Sequence, residues 1–213
     1  EREGLKEAAE EVSGVSFKKW EGKRSAAQIT EVKVLNEHGA KALGKPMGSY
    51  LTLEADKLLM PDEDFHSEVS DELALLLKGL LKQKTGKNIL VAGLGNQSVT
   101  PDSLGPRTVS NLCVSAEGLK AIAPGVMAQT GMETARILLG IIKEVQPDLV
   151  IAIDALAARS IRRLGTTIQL TDTGIHPGSG VGNHRHSLTK ETLGIPRSEE
   201  HTSELQSRFD LVC

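Results

Sequence analysis

The sequence predicts an α/β fold, a mostly parallel sheet flanked by helices. Two observations carry that expectation. The runs Asn88-Ile89-Leu90-Val91-Ala92-Gly93 and Leu149–Ile153 are continuously apolar, as in strands buried on both faces. Between them, Ala135, Leu138, Leu139 and Ile142 mark the core face of one helix. Strand, helix and strand in that order give a parallel sheet.

The other elements follow in order. Residues 1–11 are charged and helix-compatible, with no clear core face. Ile29, Val32, Val34 and Leu35 mark a strand, Asn36-Glu37-His38-Gly39 a turn, and Tyr50–Glu54 a second strand. Val69, Leu73, Leu76, Leu77 and Leu80 place one apolar stripe on a helix that Gly86 stops. Thr130-x-x-Glu133 reads as a capping box opening the helix before Pro147, and Thr166–Leu170 as a further strand. Residues 1–196 make one domain. Beyond Ile195-Pro196 the apolar pattern breaks off, and the polar string from Arg197 to Ser207 resembles the translation of a sequencing adapter. Residues 197–213 are therefore expected to be a non-native, unordered tail, which removes His201, Phe209 and Cys213 as functional candidates. A chain opening on Glu1 is expected to have lost residues upstream.

Composition narrows the function. The 213 residues are 39% apolar with 21 Gly, and 25 Lys and Arg stand against 28 Asp and Glu, a net charge of −3. Without a basic excess, and with aromatics at 2%, a nucleic-acid partner is not expected. No apolar stretch approaches the roughly 18 residues of a membrane span. Two cysteines, Cys113 and Cys213, do not make a disulfide framework, which fits a reducing interior.

Ligands and catalytic groups of a parallel sheet gather beyond the carboxyl ends of its strands. Two carboxylates lie there. Asp154 directly follows Leu149–Ile153, and Asp102 lies in the loop after Asn88–Gly93. If those strands are neighbours, the pair shares one rim and can share a proton, one carboxylate acting as base on water and the other as acid toward a leaving amine. The competing readings are helix caps, Asp102 for the helix after it and Asp154 for Ala155–Ile161. Other signals are weaker. Ala92–Ser98 resembles a dinucleotide-binding turn but has Ser98 in place of the third glycine, so a tight strand exit and no cofactor is the reading. Asp172-Thr173-Gly174 matches the triplet of pepsin-like proteases, yet one copy in an α/β pattern reads as coincidence. His176, His184 and His186 flank the glycine-rich Pro177–Gly182 loop and read as surface residues, not metal ligands; the loop could offer backbone N–H groups to an oxyanion. Cys113 reads as a core residue.

Several stretches resemble the germination protease family of endospore-forming bacteria. They are Gly44–Gly48, Tyr50–Glu54, Gly93-Leu94-Gly95-Asn96, Val99–Pro106, Pro124-Gly125-Val126-Met127, Ile151–Ser160 and Asp172–Asn183. The resemblance covers residues 1–196. It implies an atypical aspartic-type endopeptidase, without cofactor, on a fold akin to hydrogenase maturation proteases, with Asp102 and Asp154 as the catalytic aspartates. It also implies small acid-soluble spore proteins as substrates, a homotetramer, a zymogen activated by loss of an N-terminal prosegment, and a cytoplasmic location in the forespore and spore core. The chain departs from the family in a shorter connection between Asn111 and Ala123 and in lacking the strand and helices expected after Pro196. The rival readings are a nickel-dependent maturation-type protease, with Asp102 at an acidic ligand position, and an inactive truncated module that binds substrate without turnover.

Overall fold

The structure, a computed structural model, describes residues 13–81, 88–115, 118–158, 160, 163–175 and 209–212. In chain order its elements are β1 (Val15–Glu21), β2 (Gln28–Val34), α1 (Glu37–Leu43), β3 (Gly48–Glu54), α2 (Glu63–Leu80), β4 (Ile89–Gly93), α3 (Leu104–Ser110), β5 (Leu119–Ile122), α4 (Met127–Thr130), α5 (Thr134–Val145), β6 (Leu149–Ile153), β7 (Thr167–Thr171) and β8 (Phe209–Val212). They divide into two compact units, residues 1–82 with 158–173, and residues 83–157 with 174–213. Among the described residues no helix is long and apolar enough to cross a membrane.

The first unit is an antiparallel sheet. β1 pairs with β2, β2 with β3, and β3 with β7. The register stacks Ile29 beside Leu53 and Leu53 beside Ile168, so apolar residues of alternate positions fill one face. The Asn36–Gly39 segment, expected as a turn, opens α1 instead: the Asn36 side chain accepts the Gly39 N–H at 2.9 Å as an N-cap. Asx residues favour turns and caps by the same side-chain bond, so the four residues alone did not separate the two. The helix α2 carries the expected stripe, with Val69 buried, but its buried face also holds Glu72, 3% exposed. Its Oε2 accepts the Arg24 N–H at 2.6 Å, which ties the helix to the β1–β2 turn. Gly86, expected to stop this helix, lies outside the described residues; α2 ends at Leu80.

The second unit is a parallel sheet. β4 lies between β5 and β6, in register Ile89 to Leu119 and Ile89 to Leu149. Every residue of β6 is buried, as its unbroken apolar run requires. Below the sheet α5 presents Ala135, Leu138 and Ile142 to Leu90, Ala92 and Val150, with Leu139 at the margin. The expected capping box is not formed. Thr130 ends α4, where its hydroxyl accepts the Met132 N–H at 3.1 Å, and α5 begins at Thr134. Gly131, at φ +68°, turns the chain between the two helices and moves the start downstream.

Beyond Pro196, residues 197–208 lie outside the described residues, but Phe209–Val212 do not follow the expectation of an unordered tail. They form β8, parallel to β6 in register Val150 to Phe209 and Ile153 to Val212. An edge of β6 left bare would expose a row of backbone donors and acceptors, and an extended segment satisfies them.

In the first unit Tyr50 donates its hydroxyl hydrogen to the Pro46 carbonyl at 2.9 Å. Burial pushes its phenol above the ordinary 10.0, the Asp172 charge adds to the rise, and a hydrogen bond with Thr173 works against it. The folded state thus holds this proton more tightly than the unfolded chain. Its contribution to stability is complete below pH about 10 and is lost as pH rises through the folded value. Thermal melts from pH 8 to 11 are expected to fall more steeply above pH 10 for the wild type than for Tyr50→Phe. Parallel curves would show that Tyr50 carries none of the alkaline instability.

Candidate active site

The expected pair of strands is adjacent. β4 and β6 run side by side with Gly93 opposite Ile153, so the chain leaves both strands at the same rim. Leu94 donates its N–H to the Ile153 carbonyl at 2.7 Å, extending the pairing one step past the strand end. Asp154 is the first residue after β6. Its Oδ1 accepts the Ala155 N–H at 2.9 Å, and the side chain is half-buried. No helix follows that it could cap through residue 158.

Asp102 reaches this rim by a folded-back loop. After Leu94, Gly95 turns at φ +116°, and a Cβ there would run into the Asp102 carbonyl oxygen and stand 3.1 Å from Asp102 Oδ1. Only glycine allows so close a passage. The Asn96 N–H then donates to both the Asp102 carbonyl, at 2.9 Å, and the Asp102 Oδ2, at 2.8 Å. The Asp102 N–H donates in turn to the Val99 carbonyl at 2.9 Å, closing the Thr100–Asp102 turn. Asp102 is therefore not the N-cap of α3. That position falls to Ser103, which is buried and donates its hydroxyl hydrogen to the Thr100 carbonyl at 2.9 Å. Both residues thus follow the carboxyl ends of adjacent parallel strands, Asp154 directly after β6 and Asp102 in the loop folded back over the exit of β4.

The loop after β5 supplies the third side of the rim. Gln129 on α4 donates its amide hydrogen to Asn96 Oδ1 at 2.8 Å, and the same oxygen accepts the Ser98 N–H at 3.0 Å. The Gln129 Oε1 faces the Val126 N–H at 3.4 Å. Sequence reasoning assigned no role to Gln129. Its partner lies 33 positions away, and only the parallel order of β4 and β5 brings the two loops together.

The remaining candidates fall elsewhere. Asp172 belongs to the first unit, where its Oδ1 accepts the Ser49 N–H at 2.7 Å beside the end of β7. That bond gives the Asp-Thr-Gly triplet a structural use at a strand end. Cys113 is exposed and not part of the core. It lies past the end of α3, followed by the exposed Val114 and Ser115. The dinucleotide-like turn is the tight strand exit expected, built on Gly95. His176, His184, His186 and the Pro177–Gly182 loop lie outside the described residues. Among the described residues no three His, Cys, Asp or Glu side chains group as a metal site would require.

What seats Asp102 is a close backbone approach. A Cβ on Gly93 would run into the Gly105 carbonyl, and one on Gly105 would run into the carbonyls of Leu94 and Ile153. These neighbours are main-chain atoms of a parallel sheet and cannot yield as a side-chain tip would. Gly105→Ala is expected to cost about 1–3 kcal/mol of stability through overpacking. Gly140→Ala, on α5 with open space around its Cβ position, is expected to gain roughly 0.5–1 kcal/mol. Urea unfolding of the two variants measures both signs, and an unchanged midpoint for Gly105→Ala would refute the contact.

Comparison with known proteins shows the family of this chain. The germination protease family profile matches residues 1–198. Over 200 aligned residues the chain is 48% identical to a germination protease of Caldanaerobacter subterraneus subsp. tengcongensis, covering 87% of this chain and 61% of that protein. It is 46% identical over 204 residues to one from Oceanobacillus iheyensis, covering 87% and 54%. Among solved structures, the [NiFe] hydrogenase maturation protease HycI of Thermococcus kodakarensis KOD1 superposes with a TM-score of 0.40 at 19% identity, over 64% of this chain and 78% of that one. The chain spans little more than half the length of the relatives it matches. With a matching profile from residue 1 to residue 198, it belongs to the germination protease family.

Proposed function

We propose that this chain carries the catalytic centre of an aspartic-type endopeptidase, with Asp102 and Asp154 as the acting pair and small acid-soluble spore proteins as substrates. The observation that supports it is the register of β4 and β6, which ends both strands together and leaves the two carboxylates on one rim. Family membership supports proteolysis and the germination setting. The resemblance to that family also leads us to read the working form as a homotetramer in the spore core, released from a zymogen.

The chemistry needs two carboxylates in different protonation states. Like charges close together resist ionising at once, so a mechanism of this kind requires one proton shared by the two carboxylates. The ionised member takes a proton from water as the water attacks the peptide carbonyl. The protonated member then supplies a proton to the leaving amine as the C–N bond breaks. The half-buried setting of both side chains leaves access for substrate while limiting competition from bulk water.

Hydrolysis of a purified small acid-soluble spore protein tests the reading. Asp102→Asn and Asp154→Asn keep the side-chain shape but cannot ionise, and each is expected to lower kcat by about 100-fold or more. Unchanged circular dichroism would show that both variants fold. Near-normal turnover by either would refute the pair. A chelator is expected to leave the rate unchanged; a loss on chelation that nickel restores would favour the maturation-type reading instead.

A further inference from the structure

We infer that Gln129 is a positioning residue for Asp102, acting through Asn96; this rests on the proposal that Asp102 takes part in hydrolysis. Three loops meet in this relay. Gln129 Nε2, after β5, donates to Asn96 Oδ1 at 2.8 Å, and the Asn96 main chain, after β4, donates to Asp102 Oδ2 at 2.8 Å. The Ser98 N–H on Asn96 Oδ1 at 3.0 Å closes the loop on itself, so that the Asn96 amide is held from both sides. The Gln129 side chain is also aligned by its own helix start, where its Oε1 faces the Val126 N–H.

The arrangement matters because the loop leading to Asp102 begins at a flexible residue, although Pro101 stiffens the Thr100–Asp102 turn itself. Gly95, immediately before Asn96, is the most permissive residue of the loop. Rotation about Gly95 would swing the Asn96 N–H away from the carboxylate, and within the loop its bond to the Asp102 carbonyl and the Val99 N–H bond to the Asn96 carbonyl oppose it. Gln129 adds a hold from a separate loop. It lies on the surface, touches neither carboxylate in any of these bonds, and leaves the core of α5 untouched. Its loss therefore displaces a carboxylate without unfolding the protein. Small displacements of a reacting group are costly to the chemical step.

The test compares Gln129→Met, Asn96→Ala and the double variant in the full chain. Gln129→Met keeps the length and removes the donor. It is expected to lower kcat about 10-fold with KM nearly unchanged, and the double variant should be no slower than Asn96→Ala alone, since both changes break one relay. Amide hydrogen exchange supplies a readout that does not need activity: the Asn96 N–H should exchange about 10-fold faster in Gln129→Met while α5 amides hold their protection. Unchanged exchange at Asn96, or losses that simply add in the double variant, would overturn the relay. Faster exchange together with full activity of Asp102→Asn would instead refute the catalytic reading of Asp102, and with it the role of Gln129 in hydrolysis.

Discussion

Everything at the rim depends on one close approach, helix α3 laid against the carboxyl ends of β4 and β6 through glycine. Gly93 and Gly105 meet main chain to main chain, and Gly105 also faces the carbonyls of Leu94 and Ile153. Helices normally stand off a sheet by the thickness of side chains on both. Removing the Cβ atoms at the contact lets α3 begin almost on top of the strand ends. The turn that enters the helix, Thr100–Asp102, is thereby pressed over Gly95, and Asp102 lands beside the exit of β4 instead of projecting into solvent. The third glycine, Gly95, is needed for the same reason from the other side.

This placement needs a firm floor. Beneath it lie Leu90, Ala92 and Val150, packed on Leu138 and Ile142 of α5, with Leu94 buried at the strand exit. Burial of such side chains contributes about 1.5–3 kcal/mol each relative to exposure, so the strand ends hold their register strongly. The loops above add the buried Leu94 and Val126 to hydrogen bonds each worth about 0.5–1.5 kcal/mol net. A rigid sheet with lightly held loops is how a fold can keep reacting groups in place while substrate comes and goes.

The strands were legible in the sequence because burial on both faces forces a run such as Leu149–Ile153, which few other structures produce. Adjacency of the two strands stood in the sequence only as a condition, which the β4–β6 pairing meets, and the two aspartates stood out by their place after those runs. What the sequence did not yield has a common cause. Asn36 and Thr130 carry side chains that satisfy either a turn or a helix end, and the choice is made by neighbours such as Gly39 and Gly131. Cys113 is apolar by nature but stands exposed. Glu72 stands at a buried position because one backbone N–H, that of Arg24, waits there for an acceptor. Gln129 is legible only once β4 and β5 are known to lie side by side. Local pattern reports which residues want burial. It does not report which distant partner makes a polar residue useful.

The two units also differ in a way that bears on where chemistry can gather. In the antiparallel sheet, neighbouring strands end at opposite edges, so loops after β1 and β2 leave in opposite directions and cannot share a rim. Among its polar side chains, Asn36 caps α1, Glu72 holds the Arg24 turn, Asp172 holds Ser49, and Glu54 pairs with Arg163. In the parallel sheet every strand ends at the same edge, and the loops after β4, β5 and β6 are compelled to meet. Asn96, Gln129 and Asp154 stand on those three loops, with Asp102 folded back into the first. The convergence of these loops needs no special sequence signal beyond strand direction, since parallel pairing alone brings them to one edge.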